Sequence, residues 1–401
     1  MTRRSFVESW ALNATAAAGQ TRASRKAPKS EFDYVDWSWE NWRRITGDTR
    51  PAITGEQTGK GELIDLAPKA ARDWAARRSA FAGLLARFTG TAPRVKPPLL
   101  AEPLGDYDAG GFTRRRVRYQ SEPGEWIPAY VLIPHKRQGR LPAVLCPHQT
   151  TQAGKNSPAG LADKPEQHTA VHLAQRGYVT LTWDALCFGE RHNPASGHYG
   201  DAIPFYRRHP PWSLMAKMIW DLSRSIDYLE TLDFVDPKRI GCVGHSHGGA
   251  TTLFGMALEP RIAAGASNCG FDTFRIDGNT FRWSRATALL PRLGFYISSP
   301  YINMDLYRAV PDSEVIQTPF DMHQMLALIA PRPVILTASD EDFVFPNGGW
   351  STRQSLFRLS KLYRLLDAED RVASYYFRGG HSFPPEASSR AYGWLDRWLK
   401  A

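Results

Sequence analysis

The stretch Arg239-Ile240-Gly241-Cys242-Val243-Gly244-His245-Ser246-His247-Gly248-Gly249-Ala250 decides the fold. Its first part, 240–243, is a short apolar run of strand type, and a helix-like segment at 247–258 follows at once. Between them Gly244, Ser246 and Gly248 stand in the spacing G-x-S-x-G, which lifts a serine onto a sharp turn from strand to helix. Glycine is needed on both flanks because the serine backbone is strained there and the two elements crowd together. The helix that follows turns its first N–H groups and the positive end of its dipole toward the serine. Five residues match such a pattern by chance in many proteins, so the strand before and the helix after give it its weight.

Outward from this point, short β-rich runs alternate with amphipathic segments. Strands are expected at 129–133, 143–146, 178–183, 240–243, 262–268, 334–338 and 373–377, several of them apolar on both faces, as strands covered on both sides are. Helices are expected at 166–176, 213–231, 247–258, 350–366 and 388–399. In the second of these Leu214, Met218, Leu222, Ile226 and Leu229 recur at steps of four and three, and Ser213 is placed to cap the first turn. Alternation of this kind predicts an α/β fold with a mostly parallel sheet and helices on both faces. This domain is expected to occupy 106–401. Ahead of it, 26–105 reads as an extension with an aromatic patch, a helix-like segment at 70–88 and a proline-rich stretch. The interval 271–319 is too long for an ordinary connection and is rich in aromatics, which predicts a lid over the carboxyl ends of the strands.

A serine hydroxyl needs a neighbouring base, and the base needs a group to orient it. After the strand at 373–377 come Gly379-Gly380-His381, which puts His381 on a loop just past a strand end. After the strand at 334–338 come Ser339-Asp340-Glu341-Asp342, where three carboxylates compete. Asp342 is favoured as the orienting acid, since a tight turn must separate it from the strand, while Asp340 or Glu341 would cap that turn. The oxyanion donors are expected from the N–H of His247 and from the loop Pro147-His148-Gln149-Thr150-Thr151, at Gln149 or Thr150. Asp184 and Arg191 follow another strand end and read either as pocket residues or as a salt bridge. His192, His198 and His209 are irregularly spaced and carry no metal-ligand pattern.

Several other stretches carry a family likeness. His148 after a buried strand, Gly177-Tyr178 leading to Trp183-Asp184-Ala185, Phe188-Gly189-Glu190-Arg191 and Asp236-Pro237-Lys238-Arg239-Ile240-Gly241 resemble the α/β-hydrolases related to acetyl xylan esterase and dienelactone hydrolase. Leu328-Ile329-Ala330-Pro331-Arg332-Pro333 and the Gly-Gly-His ending add to the likeness, which covers roughly 106–399. The resemblance implies ester hydrolysis with no metal and no cofactor, often on acylated sugars, and places Asp342 at the acid position. Two departures stand out: Ser246 replaces the cysteine of dienelactone hydrolases proper, and Gln149 and Thr150 replace the usual glycines after the strand histidine.

Composition narrows the remaining classes. With 42% hydrophobic and 22% charged residues the chain is of globular type. The formal charge of +10 is half accounted for by residues 1–30, where Arg3, Arg4, Arg22, Arg25, Lys26 and Lys29 face only Glu8. The rest is scattered without a basic stripe, so a nucleic-acid partner is not expected. No run of about 20 apolar residues would span a membrane. Cys146, Cys187, Cys242 and Cys269 read as buried free thiols. The start, Thr2-Arg3-Arg4-Ser5-Phe6-Val7, resembles a twin-arginine export signal over residues 1–25, a disordered cytoplasmic tail being the alternative. The expected function is a serine carboxylic-ester hydrolase acting on small acyl esters of carbohydrates or related alcohols. A serine amidase or peptidase would use the same groups, and a non-catalytic binding protein would have no need of all three.

Overall fold

A computed structural model describes residues 39–56, 62–93, 95–162, 164–197, 199–275, 288–296 and 318–400. The export-like segment and most of the lid interval lie outside them.

Among the described residues nine strands form one sheet in the order β1-β2-β3-β5-β4-β6-β7-β8-β9. They are β1 (Glu102–Asp108), β2 (Phe112–Glu122), β3 (Glu125–Pro134), β4 (Leu141–Leu145), β5 (Val179–Trp183), β6 (Val235–His245), β7 (Ala264–Asn268), β8 (Val334–Ser339) and β9 (Val372–Phe377). The pairs from β1 to β3, and β3 with β5, are antiparallel. From β5 through β9 every pairing is parallel. Parallel neighbours need crossovers, and helices supply them: α3 (Thr169–Gln175), α4 (Ala202–Arg208), α5 (Leu214–Glu230), α6 (His247–Leu258), α7 (Met322–Ile329) and α8 (Gly348–Leu365), while α1 (Trp39–Thr46) and α2 (Trp74–Thr89) precede the strands and α9 (Pro385–Leu399) follows them.

The helices divide between the two faces, and strand alternation shows how. On β4, Ala143 and Leu145 join a core with Met215 and Leu222 of α5, Leu253 of α6, Leu326 of α7 and Leu359 of α8. Val144 and Cys146 point the other way, into a core with Leu173 of α3 and Ala391, Leu395 and Leu399 of α9. The period of two thus sorts the strand's side chains into two layers. Gly241 on β6 lets α9 approach, since a Cβ there would stand 2.6 Å from Leu399 Cδ1. Ser213 caps α5 as its position suggested, its Oγ accepting from the Ala216 N–H at 3.2 Å. All four cysteines are buried and free, and no described helix is long and apolar enough to cross a membrane.

Two strands were not foreseen. Arg114, Arg115 and Arg116 break the apolar pattern of β2; Arg115 donates two bonds to Asp106 of β1, at 2.9 and 2.8 Å, and Arg116 pairs with Glu190 at 3.0 Å. Helix α7 also escaped, because all eight of its residues are buried and a helix without a polar face shows no period.

Candidate active site

Strand β6 ends where the chain turns into α6, and Ser246 sits on that turn with φ +56° and ψ −119°. This is a backbone conformation that side-chain-bearing residues rarely adopt. It is held from both sides. The Ser246 N–H donates to the Asn268 carbonyl of β7 at 2.8 Å. Gly244 and Gly248 pack so closely that a Cβ on Gly244 would lie 2.3 Å from the Gly248 carbonyl carbon, and one on Gly248 would lie 2.2 Å from the Pro147 oxygen.

The loops after β8 and β9, neighbours in the sheet, bring two further groups to the serine. Ser246 Oγ lies 2.7 Å from His381 Nε2. His381 Nδ1 lies 2.8 Å from Asp342 Oδ2. The other carboxylate oxygen of Asp342 accepts the N–H groups of Val344 at 2.8 Å and Phe345 at 2.9 Å, so the acid is fixed by its own turn. Burial pushes the Asp342 carboxyl upward, but the bond to His381 and the two backbone N–H groups outweigh it and hold the group below the usual range. An ionised Asp342 keeps the imidazole proton on Nδ1 and leaves Nε2 to accept from Ser246. The Phe345 ring stacks on His381 with centroids 5.6 Å apart.

The competing carboxylates are engaged elsewhere. Asp340 makes two bonds to Arg353, at 2.7 and 2.9 Å. Glu341 accepts from the Gly379 N–H at 3.2 Å. Neither caps the turn; Ser339 does, accepting from the Glu341 N–H at 3.1 Å.

His247 is the first residue of α6, so its N–H lies at the positive end of the helix dipole, next to Ser246. The loop from Pro147 packs against the same helix start. His148 organises it: Nδ1–H donates to the Gln149 carbonyl at 2.6 Å, and Nε2 accepts from the Ala185 N–H at 3.2 Å. Burial pushes the His148 imidazole below its ordinary pKa, in keeping with a neutral ring serving one acceptor and one donor. The Gln149 side chain donates to Ser157 Oγ at 2.9 Å.

The family model described as glucuronyl esterase, fungi, matches residues 131–359, more than half of the chain. The chain belongs to the glucuronyl esterase family. Carbohydrate esterase MZ0003, from an unknown prokaryotic organism, is 30% identical over 156 residues, which is 39% of this chain but only 34% of that protein. A 4-O-methyl-glucuronoyl methylesterase of Phanerochaete carnosa (strain HHB-10118-sp) is 24% identical over 340 residues, 82% of this chain and 76% of the relative. A CE15 glucuronoyl esterase from Teredinibacter turnerae T7901 superposes with a TM-score of 0.63 at 18% identity, over 90% of this chain and 99% of the other. At that identity the likeness speaks for the fold. This glucuronyl esterase family member is thus an α/β-hydrolase and a serine esterase.

Within this member of the family, Asp184 and Arg191 are not pocket ligands. Asp184, fully buried, accepts from Lys155 Nζ at 2.8 Å and from the Lys155 N–H at 2.7 Å, and Lys155 also reaches Glu190. Arg191 pairs with Asp221 at 2.7 Å and with Glu125, and meets Asp184 only at its carbonyl. His192 pairs with Asp201 at 2.7 Å and His209 with Glu122 at 2.9 Å. His198 lies outside the described residues.

Sequence reading passed over the roles of His245 and Asn268. The Asn268 amide donates to His245 Nδ1 at 2.7 Å and to the Ser382 carbonyl at 2.8 Å, while its oxygen accepts from Thr337 at 2.7 Å. His245 lies against His381 with centroids 4.7 Å apart. Burial, with His381 adding to it, pushes His245 well below its ordinary pKa, so it is a neutral packing surface for the other ring. The available signal was position: both residues end strands that flank the elbow.

Proposed function

We propose that this chain hydrolyses uronate esters of carbohydrates, with Ser246 as nucleophile, His381 as general base and Asp342 as the orienting acid. The observation that carries the reading is the continuous relay from Ser246 Oγ through His381 to Asp342, at 2.7 and 2.8 Å. His381 accepts the Ser246 proton as Oγ attacks the ester carbonyl, and the developing oxyanion is met by the His247 N–H together with that of Gln149 or Thr150. The alcohol leaves with the proton held by His381, and water activated by the same ring releases the acid. A substrate of glucuronate type is supported by the family match and by relatives named 4-O-methyl-glucuronoyl methylesterase. Acetylated sugars, suggested by the sequence motifs, are the second class to test. The aromatic interval 271–319 would wall the alcohol side, and the segment around Arg3 and Arg4 would export the enzyme to where polysaccharide esters are found.

The deciding experiment compares a methyl glucuronate ester, acetylated sugars, nitrophenyl acetate and peptide amides under one set of conditions. The reading expects the highest kcat/KM on the glucuronate ester. A preference for acetylated sugar moves the substrate to the second class, and cleavage of the amide alone overturns the esterase assignment.

A further inference from the structure

Cys269 stands one residue past the end of β7 with φ +45°, which turns its side chain under the loop that carries His381. Its N–H donates to the Thr337 carbonyl at 2.8 Å, and its thiol faces the Ser382 carbonyl at 3.8 Å. From this seat Cys269 Sγ, one carboxylate oxygen of Asp342 and one ring nitrogen of His381 all lie within 4.8 Å of one another. It is the only such group of three His, Cys, Asp or Glu side chains among the described residues. Ester hydrolysis through Ser246 makes no use of the thiol. Yet thiolate, carboxylate and imidazole are the donors that zinc takes, and cadmium takes the sulfur with more preference still.

We propose that Cys269, Asp342 and His381 form an inhibitory site for Zn2+ or Cd2+, in which the ion replaces the hydrogen bond between the acid and the base. Zinc bonds of about 2.0–2.3 Å in a tetrahedron set ligand atoms roughly 3.3–3.8 Å apart, so Cys269 Sγ must close in by at most about 1.5 Å while Nδ1 and the Asp342 oxygen, 2.8 Å apart in the hydrogen bond, must separate by about 0.5–1 Å to admit the ion. The fourth position is left to water on the side where His381 is 12% exposed. As the Zn–S bond forms, the thiol proton passes to solvent. Nδ1 of His381 binds the ion, and the proton it carried moves through solvent to Nε2. The ring then presents an N–H to Ser246 and has no lone pair for the serine proton. Thiolate and carboxylate together balance the two positive charges of the ion, so it can be held in a site shielded from water. Inhibition therefore needs no contact with Ser246 or with the ester.

The test uses the full chain in chelator-free buffer. Nitrophenyl acetate hydrolysis is followed against rising ZnCl2, each protein being referred to its own metal-free rate. Wild type is expected to lose activity and to regain it on adding a chelator, and in Cys269→Ala and Cys269→Ser the half-inhibiting concentration should rise about tenfold or more. Equal sensitivity of wild type and both cysteine variants overturns the proposal, as does a wild type untouched at millimolar zinc. A second arm needs no turnover and so separates this inference from the esterase reading. Ser246→Ala is titrated with Cd2+ by calorimetry and by the ultraviolet band of a cadmium thiolate. One ion per chain with that band is expected, weakened in Ser246→Ala/Asp342→Asn. A missing band, or the same band in Ser246→Ala/Cys269→Ala, rejects the site.

Discussion

The side-chain amide of Asn268 donates to the carbonyl of Ser382 at 2.8 Å, which fastens the loop bearing His381 to the strand beside the nucleophile. The same residue gives its carbonyl to the Ser246 N–H, so one position at the end of β7 holds both partners of the relay.

Replacing Asn268 by Ala removes three side-chain bonds, to His245, Ser382 and Thr337, and should cost roughly 2–4 kcal/mol of stability. The His381 loop loosens with it. We expect kcat to fall roughly ten- to a hundredfold while KM moves little, because the loss is in the placing of the base. Denaturant melts and steady-state kinetics on one ester check both; a variant with wild-type kcat would remove Asn268 from the relay's support.

Ser246→Ala should abolish ester hydrolysis, a loss of about a millionfold, with the fold intact. Gly248→Ala is the sharper probe of the elbow, since its Cβ would fall 2.2 Å from the Pro147 carbonyl oxygen, a backbone atom that cannot swing aside. It should shift the loop at Gln149 and Thr150 and cut turnover strongly with Ser246 and His381 both present. Circular dichroism would show a folded protein in each case, and a fully active Gly248→Ala variant would contradict the close packing.

A buried charge network joins α5 to the end of β2 and the start of β3. Lys217 is fully buried and meets Glu122 at 2.7 Å, Asp221 at 3.1 Å and Glu125 at 3.3 Å. Burial drives Glu125 upward, yet Arg191 and Lys217 hold it at about 2. Its folded pKa is thus below the unfolded value of about 4.3, so its contribution is present above that pH and is lost as pH falls toward 2. Lys217→Met leaves these carboxylates short of a partner and should destabilise by about 3–5 kcal/mol at neutral pH. The deficit should shrink as acid protonates the carboxylates. Denaturant melts at neutral pH and near pH 4 read this directly, and a gap that widens in acid refutes it.

What the sequence made legible follows from how local the signal is. The elbow at Ser246, the parallel core strands and the loop positions of His381 and Asp342 are written in runs of a few neighbouring residues. Lys155 with Asp184, Asn268 with His245 and Cys269 beside Asp342 are not, because each role depends on a partner 23 or more residues away. Strand β2 hid its pattern behind three arginines, and α7 hid its own by being buried all round. Of the interval 271–319, only 271–275, 288–296 and 318–319 are among the described residues, so the lid stays an inference from length and composition.

The acid offers the last test, since Asp340, Glu341 and Asp342 are consecutive and only Asp342 is bonded to His381. Its folded pKa is depressed, so the stability it adds is present above the unfolded aspartate value and is lost as pH falls through the folded one. Asp342→Asn removes the charge that steadies the imidazolium and lets the ring take the wrong tautomer, which should lower turnover about ten-thousandfold with the fold kept. Asp340→Asn breaks a half-exposed pair with Arg353 and should cost turnover no more than about twofold. Glu341→Gln keeps an oxygen for the Gly379 N–H, which opens the turn to His381, so a loss below about tenfold is expected. Kinetics of the three variants on one ester decide the matter. Should Asp340→Asn be crippled and Asp342→Asn healthy, the bond between His381 and Asp342 would not be the one that serves catalysis, and the base would have to be oriented from elsewhere.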